Sequence, residues 1–157
     1  VKYINSDLLD QVSKKAIENS RKRMNYNFHA NGEEVLQRML NAIEPDTYLP
    51  PHRHPEKVEI FLLLRGKVKT LFFNDIGEIT EVRELNPING EYGVEIPAGI
   101  WHTILVEESG SVIYELKEGP YVPGVGVEFA SWAPEPKNEE ECRLYREKLS
   151  AQISKMY

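Results

Sequence analysis

The sequence predicts an all-β protein, one antiparallel barrel or sandwich with a short helix at the N-terminus and another at the C-terminus. Three observations carry that reading. Between residues 21 and 118 the chain is a series of short runs rich in β-branched and aromatic residues, punctuated by Gly, Pro, Asn and Ser. Helical spacing beside capping residues is clearest at the two ends. A length of 157 residues suits one well-buried core and is too short for two ordinary domains.

The expected organisation in chain order is a helical segment over residues 1–20, a barrel over 21–118, an ordered arm over 119–137 and a helix over 138–157. Ser6 is placed to cap a helix running to about Asn19, with Leu8, Leu9, Val12, Ala16 and Ile17 on its apolar side. Over residues 21–29 the period changes to two, and Met24, Tyr26 and Phe28 alternate with Arg23, Asn25, Asn27 and His29. Asn31-Gly32 makes a turn, after which Val35, Leu36, Met39, Leu40 and Ile43 have the spacing of a helix. Residues 68–73 and 79–85 read as a hairpin joined by Asn74-Asp75-Ile76-Gly77, and 94–96, 103–106 and 112–116 as further short strands. The stretch 119–137 is rich in Pro and Gly but carries Tyr121, Val122, Phe129 and Trp132, so it is expected to be pinned, with Tyr121, Phe129 and Trp132 packed on the barrel. Asn138 and Glu141 have capping-box spacing ahead of Cys142, Tyr145, Leu149 and Ile153, which share a helical face. That face covers the chain's own barrel or a partner subunit.

A net charge of −6 argues against non-specific binding to nucleic acid or an anionic membrane, with Arg21-Lys22-Arg23 as the one local exception. The single cysteine, Cys142, excludes an internal disulfide and fits a reducing compartment or indifference to redox. No apolar run is long enough to span a membrane and no signal-peptide pattern opens the chain, so the cytoplasm is the expected address.

The most informative stretch is Pro50-Pro51-His52-Arg53-His54-Pro55-Glu56-Lys57-Val58-Glu59. In a strand His52 and His54 face the same way and Arg53 the other, so two imidazoles can reach one metal ion. Pro55 interrupts pairing and lets the chain bend, so that Glu59 can add a carboxylate, with Glu56 as its rival. Pro97-Ala98-Gly99-Ile100-Trp101-His102 is a tight turn feeding a strand, and its histidine supplies a fourth ligand. His-x-His, four residues, Glu, six residues, Gly66, and later Pro-x-Gly-x-x-His together resemble the two motifs of the cupin superfamily. Asp46, Glu91 and Val106 stand where the family often has Gly, Gly and Asn. The resemblance implies a single-domain jelly-roll barrel, a strand rather than a helix over residues 33–43, and one divalent metal ion on His52, His54, Glu59 and His102. Three imidazoles and a carboxylate suit zinc, iron, manganese or nickel alike and leave coordination positions open.

A narrower resemblance runs through Arg21 to His29, Pro-His-Arg-His-Pro, Ile-Pro-Ala-Gly-x-Trp-His, Gly-Pro-Tyr and Phe-Ala-x-Trp-Ala-Pro, which are similar to the WbuC-type cupin-fold metalloproteins. It implies a bacterial protein in O-antigen or other surface-polysaccharide biosynthesis. A sugar or nucleotide-sugar is the ligand this implies, with isomerase- or epimerase-like Lewis-acid chemistry as the first reading. An Fe(II) dioxygenase and a non-catalytic carbohydrate-binding or regulatory protein are the alternatives. Arg23, Asn25, Asn27 and His29 are the candidate ligand-binding stripe, because amides, an imidazole and a guanidinium suit hydroxyls and an anion better than they suit bare solvent. His29, Glu56, Tyr114 and Glu115 are the candidate acids and bases near the ligands, which strand parity alone does not place. The open strand edges of a small barrel predict a homodimer, with the first strand and the last helix available to cover them.

Overall fold

The computed structural model describes residues 1–122 and 124–156. Helix α1 (Ser6–Glu18) leads into β1 (Arg23–Asn27), β2 (Leu36–Ile43), β3 (His52–Arg53), β4 (Glu59–Arg65), β5 (Val68–Phe73) and β6 (Ile79–Leu85). A 3-10 turn at Pro87–Asn89 precedes β7 (Gly93–Ile96), β8 (Trp101–Val106), β9 (Ser111–Glu118), β10 (Glu128–Phe129) and α2 (Glu139–Ile153). The strands form two five-stranded antiparallel sheets, ordered β1-β2-β9-β4-β7 and β10-β3-β8-β5-β6. This is the single-domain jelly roll with a helix at each end that the sequence predicts.

Inward-facing residues of both sheets meet in an apolar layer of Ile43, Phe61, Leu63, Val68, Leu85, Ile96, Ile104, Val106 and Ile113. Burying each such side chain contributes on the order of 1.5–3 kcal/mol. Helix α1 lies outside the first sheet, where Leu9, Val12 and Ala16 meet Leu40, Ala42 and Val112, and Met24, Tyr26 and Phe28 turn their rings and thioether toward it. With one face of β1 committed to α1, Arg23, Asn25 and Asn27 must point the other way, where Arg23 is half-buried and the two asparagines stay exposed. Helix α2 lays Leu149 and Ile153 on Leu71, Phe73 and Val82 outside the second sheet, so its apolar face covers the chain's own barrel.

Several local expectations are corrected. The cap of α1 is Asn5, whose side chain accepts from the Leu8 amide at 3.1 Å, rather than Ser6, and Ile17 is exposed. Asn138 makes no capping hydrogen bond to the backbone; its amide instead donates to Glu141 Oε2 at 3.2 Å, so the capping box does not form. Residues 36–43 form a strand despite their helical spacing, because β2 lies between β1 and β9 with α1 on its outer face, and burial on both sides removes clean alternation. Gly66, after β4, is left-handed (φ 90°), and a Cβ there would collide with Ser111, which fixes the tight return into β5.

Candidate metal centre and its pocket

The centre is built where the two sheets face each other at one end of the barrel. His52 on β3 lies directly opposite His102 on β8, and their ring centroids are 4.4 Å apart. Glu59 opens β4 in the other sheet, between Lys117 and Ile96. One ligand atom each from His52, Glu59 and His102 all lie within 4.8 Å of one another, a spacing that can hold a metal ion. His54 stands just outside that cluster. Its Nε2 is 3.5 Å from Glu59 Oε1, buried, and without a hydrogen-bond partner. Glu56, the rival carboxylate, is exposed and lines none of this space.

Each imidazole is oriented by its Nδ1. His52 faces the Pro50 carbonyl at 3.0 Å, His54 the Gly126 carbonyl at 2.8 Å and His102 the Ile100 carbonyl at 2.9 Å. A carbonyl only accepts, so Nδ1 carries a proton in all three rings, and in the neutral imidazole, the form that binds a metal, Nε2 presents a bare lone pair. His102 Nε2 then faces Glu59 Oε2 at 3.0 Å, acceptor against acceptor. Burial, with His102 alongside, pushes His52 down to about 3, so that ring stays neutral. Burial works against the charge on Glu59, and Lys117 beside it works in its favour. The arrangement is a nest of acceptors that a cation would satisfy, with backbone carbonyls fixing the tautomers from behind.

The centre opens into a cavity of about 650 Å³. Arg23, Asn25, Asn27 and His29 all line it. The His29 Nδ1 accepts from the Arg38 amide at 3.0 Å, and Arg23 Nη1 donates to the Tyr48 carbonyl at 3.3 Å. Of the remaining acid and base candidates, Tyr114 turns outward into the α1 cluster while Glu115 turns in. Burial and the nearby Glu59 charge push Glu115 up to about 7, against the pull of Lys117. Lys117 Nζ bridges Glu115 Oε1 at 3.1 Å and Glu59 Oε1 at 3.4 Å, and the Asn41 amide donates to Glu115 Oε2. Lys117 and Asn41 were not among the residues expected from the sequence. The available signal was Glu115-x-Lys117, two charges on the same face of an otherwise apolar run.

The arm closes one side of this cavity. β10 pairs with β3, so that Glu128 and Phe129 lie opposite Arg53 and His52, and Gly126 supplies the carbonyl behind His54. Arg53, pointing away from the candidate ligands, ties the arm to the barrel: its Nε donates to Glu128 at 2.6 Å, and its guanidinium stacks 4.4 Å from the Trp101 ring. Of the three expected anchors Trp132 packs on the barrel, 5.1 Å from Phe73 and 6.1 Å from Trp101, and the Phe129 ring lies 6.1 Å from that of His52. Tyr121 and Phe129 stay 56% and 62% exposed and line the cavity, because the arm spans its mouth rather than the barrel's apolar outer face.

Several solved structures share this fold. KdgF from Halomonas sp. superposes with a TM-score of 0.51 at 16% identity, over 64% of this chain and 82% of that one. The capsular polysaccharide assembling protein CapF from Staphylococcus aureus gives 0.56 at 21% identity, over 71% of this chain and 32% of CapF. The Cnp3 cupin domain from Schizosaccharomyces pombe gives 0.50 at 10% identity, over 63% and 66% of the two chains. This chain therefore spans most of KdgF but only about a third of CapF. No curated protein matches it in sequence. No helix among the described residues is long and apolar enough to cross a membrane. The fold is that of the cupin superfamily, and with the model of one family matching residues 4–85, more than half its length, the chain belongs to that family, the Domain of unknown function (DUF6016).

Proposed function

We propose that this protein binds one divalent metal ion, zinc, iron, manganese or nickel, through His52, His54, Glu59 and His102, and that it acts on a sugar or nucleotide-sugar held in the adjoining cavity. The observation that carries the reading is the acceptor-only cluster: three Nε2 lone pairs around a carboxylate, with His54 Nε2 buried and unpartnered. When bound, the ion supplies Lewis acidity to a coordinated carbonyl or hydroxyl. The residues beside it suit proton transfer. Glu115, pushed up to about 7, is near the pH at which a carboxyl both gives and takes a proton, and Lys117 offsets the charge that develops on it. Asn25, Asn27 and His29 offer amide and imidazole groups to sugar hydroxyls. These features favour isomerase- or epimerase-like chemistry over oxygen chemistry.

The narrower likeness to WbuC-type proteins suggests bacterial surface-polysaccharide biosynthesis, and the description of CapF as a capsular polysaccharide assembling protein is consistent with that setting. The arm, residues 119–137, works as one wall of the site. A homodimer completes the proposal, since β1 ends its sheet and none of the described strands pairs with its free edge.

Two measurements test the proposal. Metal analysis of purified protein should find one divalent ion per chain, and a thermal-shift screen of sugar phosphates and nucleotide-sugars should find a ligand whose shift shrinks in Asn27→Ala. Absence of metal after incubation with each of the four ions, or the same ligand shift in Asn27→Ala, would reject the site as described. Light scattering should give twice the 18.1 kDa chain mass; the mass of a single chain would reject the dimer.

A further inference from the structure

The end of the cavity away from the metal centre has a chemistry of its own. Strand register sets the separation. Glu59 and Lys117 pair at the level of Gln37, whereas Arg23 pairs with Ile43, six residues along β2 and so roughly 20 Å by strand rise. The acids that line the cavity, Glu59, Glu115 and Glu118, all lie at the metal end, at the levels of Gln37, Met39 and Leu36. Arg21 and Arg23 line the other end.

These two arginines differ from the rest. Arg38, Arg53, Arg65, Arg83, Arg143 and Arg146 each hold a carboxylate. Arg21 and Arg23 have none within ion-pair distance among the described residues, and Arg23 spends one N–H on the Tyr48 carbonyl. Arg23 is half-buried, and a guanidinium there with no acid beside it is costly unless something else supplies the charge; Arg21, exposed next to it, adds a second positive charge at the same wall. Burial, and then the charge of Arg21, both depress the pKa of Arg23, so an anion set between them would relieve desolvation and mutual repulsion together. Asn25 and Asn27 continue the polar wall from there toward the centre.

We propose that Arg21 and Arg23 form an oxyanion subsite for the phosphate or carboxylate of a ligand whose other end reaches the metal centre. Only the second half of that statement rests on the proposed function; the anion site stands on the arginines alone. The expected ligand is an elongated hydroxylated anion, because the amides lie between the two ends.

The test uses the full chain stripped of metal with a chelator, so that an anion cannot report on the metal. Inorganic phosphate and glucuronate are titrated separately, following arginine Nε–H resonances by NMR and affinity by calorimetry. At least one anion should shift the Arg23 resonance, and Arg21→Ala and Arg23→Ala should each weaken it about tenfold or more, while Arg143→Ala on α2 leaves it unchanged. Tighter phosphate identifies a phosphoryl group as the natural partner, and tighter glucuronate a carboxylate. Arg21 is exposed, so Arg21→Ala keeps the test valid if Arg23→Ala unfolds. No shift at Arg23 with either anion, or equal affinity in the folded variants, overturns the subsite whatever the metal content. Anion binding without any metal uptake would keep the subsite and remove the metal reading.

Discussion

Replacing Glu59 with Gln should invert the order of stability between metal-loaded and metal-free protein. Without metal, Glu59 Oε2 lies 3.0 Å from His102 Nε2, and the second oxygen lies 3.5 Å from His54 Nε2, and in the neutral rings neither nitrogen has a proton to share. A glutamine amide fits the same space and donates to one of them. Relieving an unsatisfied buried acceptor contributes about 1–3 kcal/mol, partly offset by the loss of the 3.4 Å Lys117 contact. Chelated Glu59→Gln should therefore melt at or above chelated wild type. With metal at about a hundred times its Kd, wild type gains roughly 2.7 kcal/mol, and at about 2–4 °C per kcal/mol for a chain of this size that is a rise of roughly 5–11 °C. The variant, lacking the anionic ligand, should gain little at the same concentration. The assay is calorimetric melting of both proteins in chelator and in each metal. A variant less stable than wild type in chelator, or one showing the full metal-dependent rise, would refute the acceptor-cluster reasoning.

Three other outcomes follow from the same geometry. Arg53→Ala removes the Glu128 tie and the Trp101 stack that hold the arm, so the Gly126 carbonyl should lose its place behind His54; metal affinity should fall about tenfold or more and the arm should become protease-sensitive, whereas unchanged values in both assays would uncouple arm and metal. Gly66→Ala forces a left-handed alanine into Ser111, and urea unfolding should show a loss of more than about 2 kcal/mol, while a loss under 1 kcal/mol would contradict the packing described at that turn. Because burial keeps His52 near 3 in the fold against about 6.5 in the unfolded chain, the unfolded chain binds a proton between those values that the fold refuses; stability of metal-stripped protein should fall as pH is lowered from about 6.5 toward 3, and more steeply than in His52→Gln. Equal slopes would show that His52 does not titrate on unfolding.

Spacing made the candidate metal ligands legible because short-range rules set it. His52 and His54 share a face by strand parity, Pro55 bends the chain, and Gly99 turns it into the strand that carries His102. Alternation along residues 23–29 likewise separated the α1-facing side chains from those lining the cavity. Other features depend on long-range pairing. Residues 36–43 have helical spacing, and only their position between β1 and β9 makes them a strand. Glu115 and Tyr114 could not be told apart until β9 was registered against β2 and β4, and Lys117 became visible only with that register. Tyr121 and Phe129 were expected to pack because large aromatics usually do, but their surroundings are set by an arm crossing a cavity mouth. Caps failed for a smaller reason, since Asn5 precedes Ser6 and the Asn138 side chain binds Glu141 instead of the backbone.

The most direct test of the central claim is X-ray absorption at the metal edge of the loaded protein, in wild type and in His54→Ala. If His52, His54, Glu59 and His102 hold one ion, wild type should show scattering from three imidazoles with an oxygen donor at about 2.0–2.2 Å, and His54→Ala should lose one imidazole. A shell without imidazole, or one that His54→Ala leaves unchanged, would contradict it.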